Sequence, residues 1–246
     1  MLDFGDTLSF SCTSNRQITL KTNVTTLDTP DNLVLQAARA LHKLLPKSQA
    51  FGADIVLDKV LPTGGGIGGG SSNAATTLVA LNRLWKINLP LNALAKIGAS
   101  LGADIPVFVH GRSAWAEGVG EKLEPITLPQ RWYLVLIPEC HVSTTKIFCH
   151  KNLTRDTPPI TVAAFLDRGG RNDCQALVET LFPQVRDAVI WLNQFAKAQL
   201  TGTGACVFAI FETKQKAEHI LMQIPDHLSG FVAKGVNISP LHNSLP

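Results

Sequence analysis

Gly64-Gly65-Gly66-Ile67-Gly68-Gly69-Gly70 runs into Ser71-Ser72-Asn73 and then into a strongly helical segment, residues 74–85. Six of these first seven residues lack a Cβ, so the backbone can take positive φ and come within hydrogen-bonding distance of an anion. The unpaired N–H groups in the first turn of the following helix carry the positive end of its macrodipole. Together these features predict a phosphate cradle, with a nucleotide polyphosphate as its ligand. A flexible linker can have the same composition. This run is instead bounded by an alternating apolar stretch (Ala53, Ile55, Leu57, then Val60-Leu61-Pro62) and by the helix, which embeds it inside a domain.

Spacing separates the nucleotide motifs that compete for the loop. A Walker A loop needs a lysine after its second glycine to reach the phosphates. Gly65 and Gly70 have the right separation, but Ser71 and Ser72 follow them. The dinucleotide pattern is met by Gly64, Gly66 and Gly69, as any glycine-saturated run would meet it. It also requires an acid about twenty residues on to hold a ribose. The chain there reads Leu81-Asn82-Arg83-Leu84-Trp85, helical and without an acid, which argues against a Rossmann-type oxidoreductase.

Composition is that of a soluble cytoplasmic enzyme. The 246 residues are 45% hydrophobic and 17% charged, enough for one large core or two modest ones. A net charge of +3, with no stripe of Lys and Arg, gives no footprint for nucleic acid. The longest uncharged stretch, residues 60–82, is filled with Gly, Ser, Thr and Asn and is no membrane helix. Asp3 and Asp6 stand where a secretory signal would need basic and then apolar residues. The five cysteines (Cys12, Cys140, Cys149, Cys174 and Cys206) include no Cys-x-x-Cys and are expected as reduced thiols. Cys140-His141 and Cys149-His150 have the wrong spacing for zinc, because adjacent side chains on extended backbone point to opposite faces. No metal site is expected from them.

Periodicity divides the chain near residues 125–131. Before that point it predicts strands at 8–12 and 18–20, a helix at 32–45 capped by Asp31, the strand into the loop, and two helices ending near Leu101. Leu33, Ala37, Leu41 and Leu44 mark the inner face of the first helix, and Leu78, Leu81 and Trp85 that of the helix after the loop. Residues 114–117 and 122–126, joined through Gly118-Val119-Gly120, read as a hairpin. Beyond the division, strands are predicted at 132–137, 205–211 and 230–236, with helices at 174–182, 185–196 and 214–223. This order suggests a ferredoxin-like α+β sandwich. The predicted domains are residues 1–127 and 128–246.

Two further positions invite chemistry. Asp104 follows a helix end at Leu101-Gly102-Ala103 and precedes Pro106, a turn that could hold a carboxylate out for use or simply an acid at a helix terminus. Thr201-Gly202-Thr203-Gly204 precedes an apolar strand and in isolation reads as a tight turn.

Pro62-Thr63-Gly64-Gly65-Gly66-Ile67-Gly68-Gly69-Gly70-Ser71-Ser72 resembles the second motif of the galactokinase, homoserine kinase, mevalonate kinase and phosphomevalonate kinase superfamily, whose loop amides wrap the phosphates of ATP. Asn73-Ala74-Ala75, the block from Leu101 to Phe108, Glu117-Gly118-Val119-Gly120-Glu121 and the block from Leu200 to Phe208 are similar, in order, to those of its 4-diphosphocytidyl-2-C-methyl-D-erythritol kinase family. The resemblance covers residues 2–241. It implies a two-domain α+β small-molecule kinase, with an N-terminal half like ribosomal protein S5 domain 2 and a ferredoxin-like C-terminal half. It also implies ATP and Mg²⁺ as cofactors, and a cytidine diphosphate-linked methylerythritol phosphorylated on its 2-hydroxyl in isoprenoid biosynthesis. By the same resemblance Asp104 is the general base and Pro62 to Ser72 hold the phosphates, with Ser71 or Ser72 helping to place the metal. Asn32, Leu33 and Lys59 lie beside adenine, Phe148 stacks on cytosine, and Gly202, Thr203 and Gly204 border the substrate diphosphate. Core or solvated-face readings remain open for Asn32, Leu33, Lys59 and Phe148.

The chain departs from the family pattern in one respect. The family's Pro-Ala-Lys-(Leu/Ile)-Asn-Leu strand and Asp-Gly-Tyr-His block have no counterpart in it, and Tyr133, its one tyrosine, lies in the other half. The expectation is a start-site truncation, with weak kinase activity from residues 1–246 alone. A noncatalytic nucleotide-binding relative and a superfamily kinase with another alcohol substrate are the alternatives.

Overall fold

A computed structural model of the chain describes residues 1–46, 49 and 51–244. The first half is built on a three-stranded sheet. Strand β1 (Thr7–Thr13) runs antiparallel to β3 (Gly52–Asp58), and β2 (Ile18–Thr22) pairs parallel with the other edge of β3. A 3₁₀ turn (Thr25–Leu27) leads from β2 to α1 (Leu33–His42), and β3 leads through the glycine loop into α2 (Gly69–Leu84). Ala53, Ile55 and Leu57 alternate along β3 and turn one apolar face toward these helices, the period a half-buried strand requires. Leu41, Leu78, Leu81 and Trp85 fill the space against them, and Trp85 Nε1 donates to the Gly52 carbonyl at 3.1 Å. Each such side chain contributes about 1.5–3 kcal/mol by leaving water.

Four expectations need correction here. Asn32, not Asp31, caps α1: its Oδ1 accepts from the Val34 amide at 2.9 Å, and its Nδ2 donates to the Leu27 carbonyl at 2.9 Å. Leu44 lies beyond α1 and is exposed, because the inner face runs through Val34, Leu35, Ala37, Ala38 and Leu41. The loop helix begins at Gly69 rather than Ala74, so its first turn is made from the glycine run itself. Helix α3 (Leu91–Ala99) then leads to α4 (Ile105–His110), where only a turn was expected around Pro106. Proline is tolerated in the first turn of a helix, where its missing N–H would have no partner.

A hairpin of β4 (Ala114–Glu117) and β5 (Lys122–Pro125) precedes the second half. There β6 (Trp132–Ile137) is followed by helices α5 (Thr144–Phe148), α6 (Val162–Arg168), α7 (Gln175–Leu181) and α8 (Pro183–Leu192). Strands β7 (Gln199–Leu200) and β8 (Val207–Phe211), helix α9 (Lys214–Leu221), strand β9 (Ser229–Lys234) and helix α10 (Pro240–Ser244) complete it. The sheet order is β7-β8-β6-β9 and every pairing is antiparallel, the arrangement of a ferredoxin-like sandwich. Leu134 lies opposite Ala209 and Leu136 opposite Val207, so these side chains share the face covered by Val178, Val185, Ala188, Leu192, Ala217 and Ile220.

Each half therefore has its own core, but their ends cross over. Leu2 bridges to Gly235, the Asp3 and Lys234 amides are both engaged between these two segments, and Phe4 stacks on Phe231 at 4.4 Å. In return, the Ser239 amide donates to the Gly111 carbonyl at 2.8 Å, and Leu241 packs on the core of the first half. No described helix is long and apolar enough to cross a membrane.

Candidate active site

The glycine loop takes positive φ at Gly64, Gly66 and Gly68. Gly66 could hardly be another residue: a Cβ there would lie 2.3 Å from the Thr201 carbonyl oxygen. Helix α2 starts with its first hydrogen bond from Ser72 N to the Gly68 carbonyl at 2.9 Å. Among the described residues, the amides of Gly69, Gly70 and Ser71 donate to nothing. These donors point out of the first turn at the positive end of a 16-residue helix. Of the two residues expected on the adenine side, Leu33 approaches Gly70 from the start of α1, while the Asn32 side chain is engaged in capping α1.

The loop is fixed at its neck by ion pairing. Lys59 Nζ lies 2.7 Å from Asp6 Oδ2, with side-chain exposures of 5% and 0%. Asp6 Oδ2 also accepts from Asn73 Nδ2 at 2.8 Å, and Oδ1 accepts the Val60 and Leu61 amides at 2.9 and 2.8 Å. Burial would raise the Asp6 carboxyl, but the bonds from Lys59, Leu61, Asn73 and Val60 outweigh it and hold it below the usual carboxylate range. Its contribution to stability is therefore present above the ordinary aspartate pKa and lost as pH falls through the lower folded value. Sequence reading gave Asp6 no role beyond excluding a signal peptide. Its partners lie 53–67 residues away, and no local pattern marks it.

Asp104 precedes α4 at the capping position, yet its side chain makes no capping bond and has no partner among the described residues. The carboxylate is exposed. Helix α4 packs onto the loop through Phe108, whose ring lies against Gly68: a Cβ there would sit 2.8 Å from the ring's Cζ. The hairpin turn reaches the same end of α4, with Gly120 beside the Ala103 carbonyl. Glu121 closes that turn, accepting the Val119 amide at 2.7 Å, and its own and the Val119 amides hold its carboxyl below the usual range.

The second glycine turn packs directly on the first. The Gly65 carbonyl accepts from Cys206 N at 3.1 Å and Thr201 Oγ1 at 3.3 Å, and Gly202 faces Gly66. Thr203 is buried, with its hydroxyl 2.9 Å from that of Thr144 at the start of α5. Helix α5 ends at Phe148, which is 56% exposed, so the core reading of this ring fails. Cys206 sits beneath Gly65, and burial, with Cys140 nearby, pushes its thiol up to about 12. It behaves as a small apolar filler, not a nucleophile. His141, considered from sequence only as a metal ligand, lays its ring against Gly64. Among the described residues no three His, Cys, Asp or Glu side chains gather into a metal cage.

A glycine loop opening a helix, a free carboxylate on the helix packed against it, and a ferredoxin-like second half describe one class of small-molecule phosphotransferase. Models of that class match both halves: "GHMP kinases N terminal domain" over residues 32–112 and "GHMP kinases C terminal" over residues 158–230. A 4-diphosphocytidyl-2-C-methyl-D-erythritol kinase of Hahella chejuensis is 49% identical over 254 residues, spanning 100% of this chain and 86% of the relative. The Pseudomonas aeruginosa (strain UCBPP-PA14) kinase of the same name is 51% identical, spanning 99% of this chain and 86% of the relative. A crystal structure of 4-(cytidine 5'-diphospho)-2C-methyl-D-erythritol kinase superposes with a TM-score of 0.80 at 26% identity, covering 95% of this chain and 87% of that one. Methanococcus jannaschii mevalonate kinase shares the fold at a TM-score of 0.70 and 17% identity, covering 96% and 90% of the two chains. The chain belongs to the 4-diphosphocytidyl-2-C-methyl-D-erythritol kinase family.

Proposed function

We propose that this chain transfers the γ-phosphoryl group of ATP to the 2-hydroxyl of 4-diphosphocytidyl-2-C-methyl-D-erythritol, a step of non-mevalonate isoprenoid biosynthesis. The reading rests above all on the pairing of helix-opening amides at the start of α2, which have no acceptor among the described residues, with the Asp104 carboxylate at the start of α4, two helices held together at Gly68 and Phe108. The amides of residues 64–71 bind the β- and γ-phosphates and stabilise charge as it develops. Asp104 aligns the acceptor hydroxyl and takes its proton as the oxygen attacks phosphorus. Residues 1–127 form the ATP-binding half, with Asn32 and Leu33 toward the adenosine; Lys59, expected beside adenine, is instead buried against Asp6 at the neck of the loop. Residues 128–246 form the substrate-side half, in which exposed Phe148 stacks on the cytosine and the turn Gly202-Thr203-Gly204 borders the diphosphate.

The donor set suits Mg²⁺ carried on the nucleotide, since this ion is commonly held by substrate phosphates and one or two protein oxygens rather than by a protein cage. Ser71 or Ser72 would hold it, and when bound it neutralises phosphate charge. The free thiols suit a reducing, cytoplasmic setting.

The test is selectivity. ADP release from ATP, measured with 4-diphosphocytidyl-2-C-methyl-D-erythritol, mevalonate and homoserine as acceptors, should favour the first by about 100-fold or more, because a site built to pair polar groups rejects ligands that lack them. Preference for another alcohol would reassign the substrate. ATP binding without transfer to any of the three would leave a noncatalytic nucleotide-binding protein.

A further inference from the structure

We propose that Asp6 is a positioning residue for the nucleotide phosphates, acting as the bolt that closes the neck of the glycine loop. The inference rests on the reading of that loop as the ATP site. One carboxylate receives four donors from both arms of the loop: Lys59 Nζ and the Val60 and Leu61 amides where the chain leaves β3, and Asn73 Nδ2 in α2. Residues 62–72 lie between these anchor points, so the carboxylate of Asp6, immediately before β1, sets the span the loop must bridge. The loop's direction-setting bonds are then made before any ligand arrives, which lowers the ordering cost of binding.

The charge matters as well as the shape. Lys59 Nζ lies beside Gly69, 3.4 Å from where a Cβ would stand, at the positive end of α2. A buried ammonium there is repelled by the helix and needs an anion to stay. Asp6 supplies it, and the four donors around its carboxylate favour the charged form. Asparagine at this position would keep the volume but turn one acceptor into a donor facing donors.

Titration calorimetry with AMP, ADP and ATP on the full chain tests the proposal. Asp6→Asn, with circular dichroism confirming its fold, should lose ATP affinity by about tenfold or more, as expected for disrupted charge-assisted bonds. The loss should shrink from ATP to ADP and nearly vanish for AMP, a gradation that general loosening of the fold would not produce. Asn73→Ala removes a single arm and should show the same gradation at smaller size, which keeps the proposal testable if Asp6→Asn fails to fold. Equal losses for all three nucleotides, or wild-type affinity in the variants, would overturn the role of Asp6 while leaving the ATP site standing. A wild-type chain that binds none of the three would overturn the ATP-site reading and this inference together.

Discussion

The loop at residues 62–72 and the turn at residues 201–204 are both glycine-bearing, both take positive φ and touch through Gly66 and Gly202, yet their hydrogen bonds are arranged in opposite ways. In the second turn the Gly204 amide donates to Thr201 at 2.7 Å, the Thr201 amide donates to Cys206 at 3.0 Å, and Asn172 Nδ2 donates to the Gly202 carbonyl at 2.7 Å. In the first, the amides that open α2 have no acceptor among the described residues. Glycine thus serves two purposes within a few ångströms. One loop leaves its helix-opening amides unpaired among the described residues, and the other is a closed lock that carries the second half of the molecule onto the first.

Neither loop supplies a base, so the largest effect should come from outside both. Asp104→Asn should lower turnover by about 10²- to 10⁴-fold with ATP affinity unchanged. Steady-state rates alongside calorimetry decide this, and near-normal turnover would return Asp104 to an ordinary helix terminus. Next in size is the contact between the loops. Gly66→Ala places a Cβ against the Thr201 carbonyl at positive φ and should cost about 2–4 kcal/mol in urea unfolding. An unchanged midpoint would break the claim that the two turns are locked.

Smaller effects sharpen the contrast. Thr144→Val and Thr203→Val, alone and together, should reveal a coupling of about 1 kcal/mol in a double-mutant cycle, with ATP binding unaffected. Gly70→Ala is the converse case. Gly70 is helical, and the nearest atom to a Cβ there is Leu33 Cδ1 at 3.6 Å. The change should stabilise the fold by about 0.4–1 kcal/mol while weakening ATP binding. Stabilisation with no loss of affinity would mean that this face of the loop does not approach phosphate.

Much of this was legible in the sequence because short-range chemistry writes it there. The glycine run announced a positive-φ loop leading into a helix, and the alternation through Ala53, Ile55 and Leu57 and the spacing of Leu78, Leu81 and Trp85 marked a real strand and a real helix face. The start of α2 was misread because glycine has low intrinsic helix propensity. Packing overrides it, with Gly69 pressed on Leu61 and Lys59. Helix α4 was hidden by its Ile-Pro-Val-Phe-Val sequence, too short for periodicity and rich in strand formers. Asp6 was invisible for a different reason, since its meaning lies wholly in partners brought to it by the sheet.

The crossed ends of the two halves set a timing problem during synthesis. The Asp3 carboxylate meets the Lys234 amide across 231 positions of sequence, so at about 5–20 residues per second its partner strand emerges on the order of 10–50 s later. Until then Leu2 has no Gly235 to bridge to and Phe4 no Phe231 to stack on. The first half leaves the ribosome with an unfinished seam, which only the last elements of the second half can close.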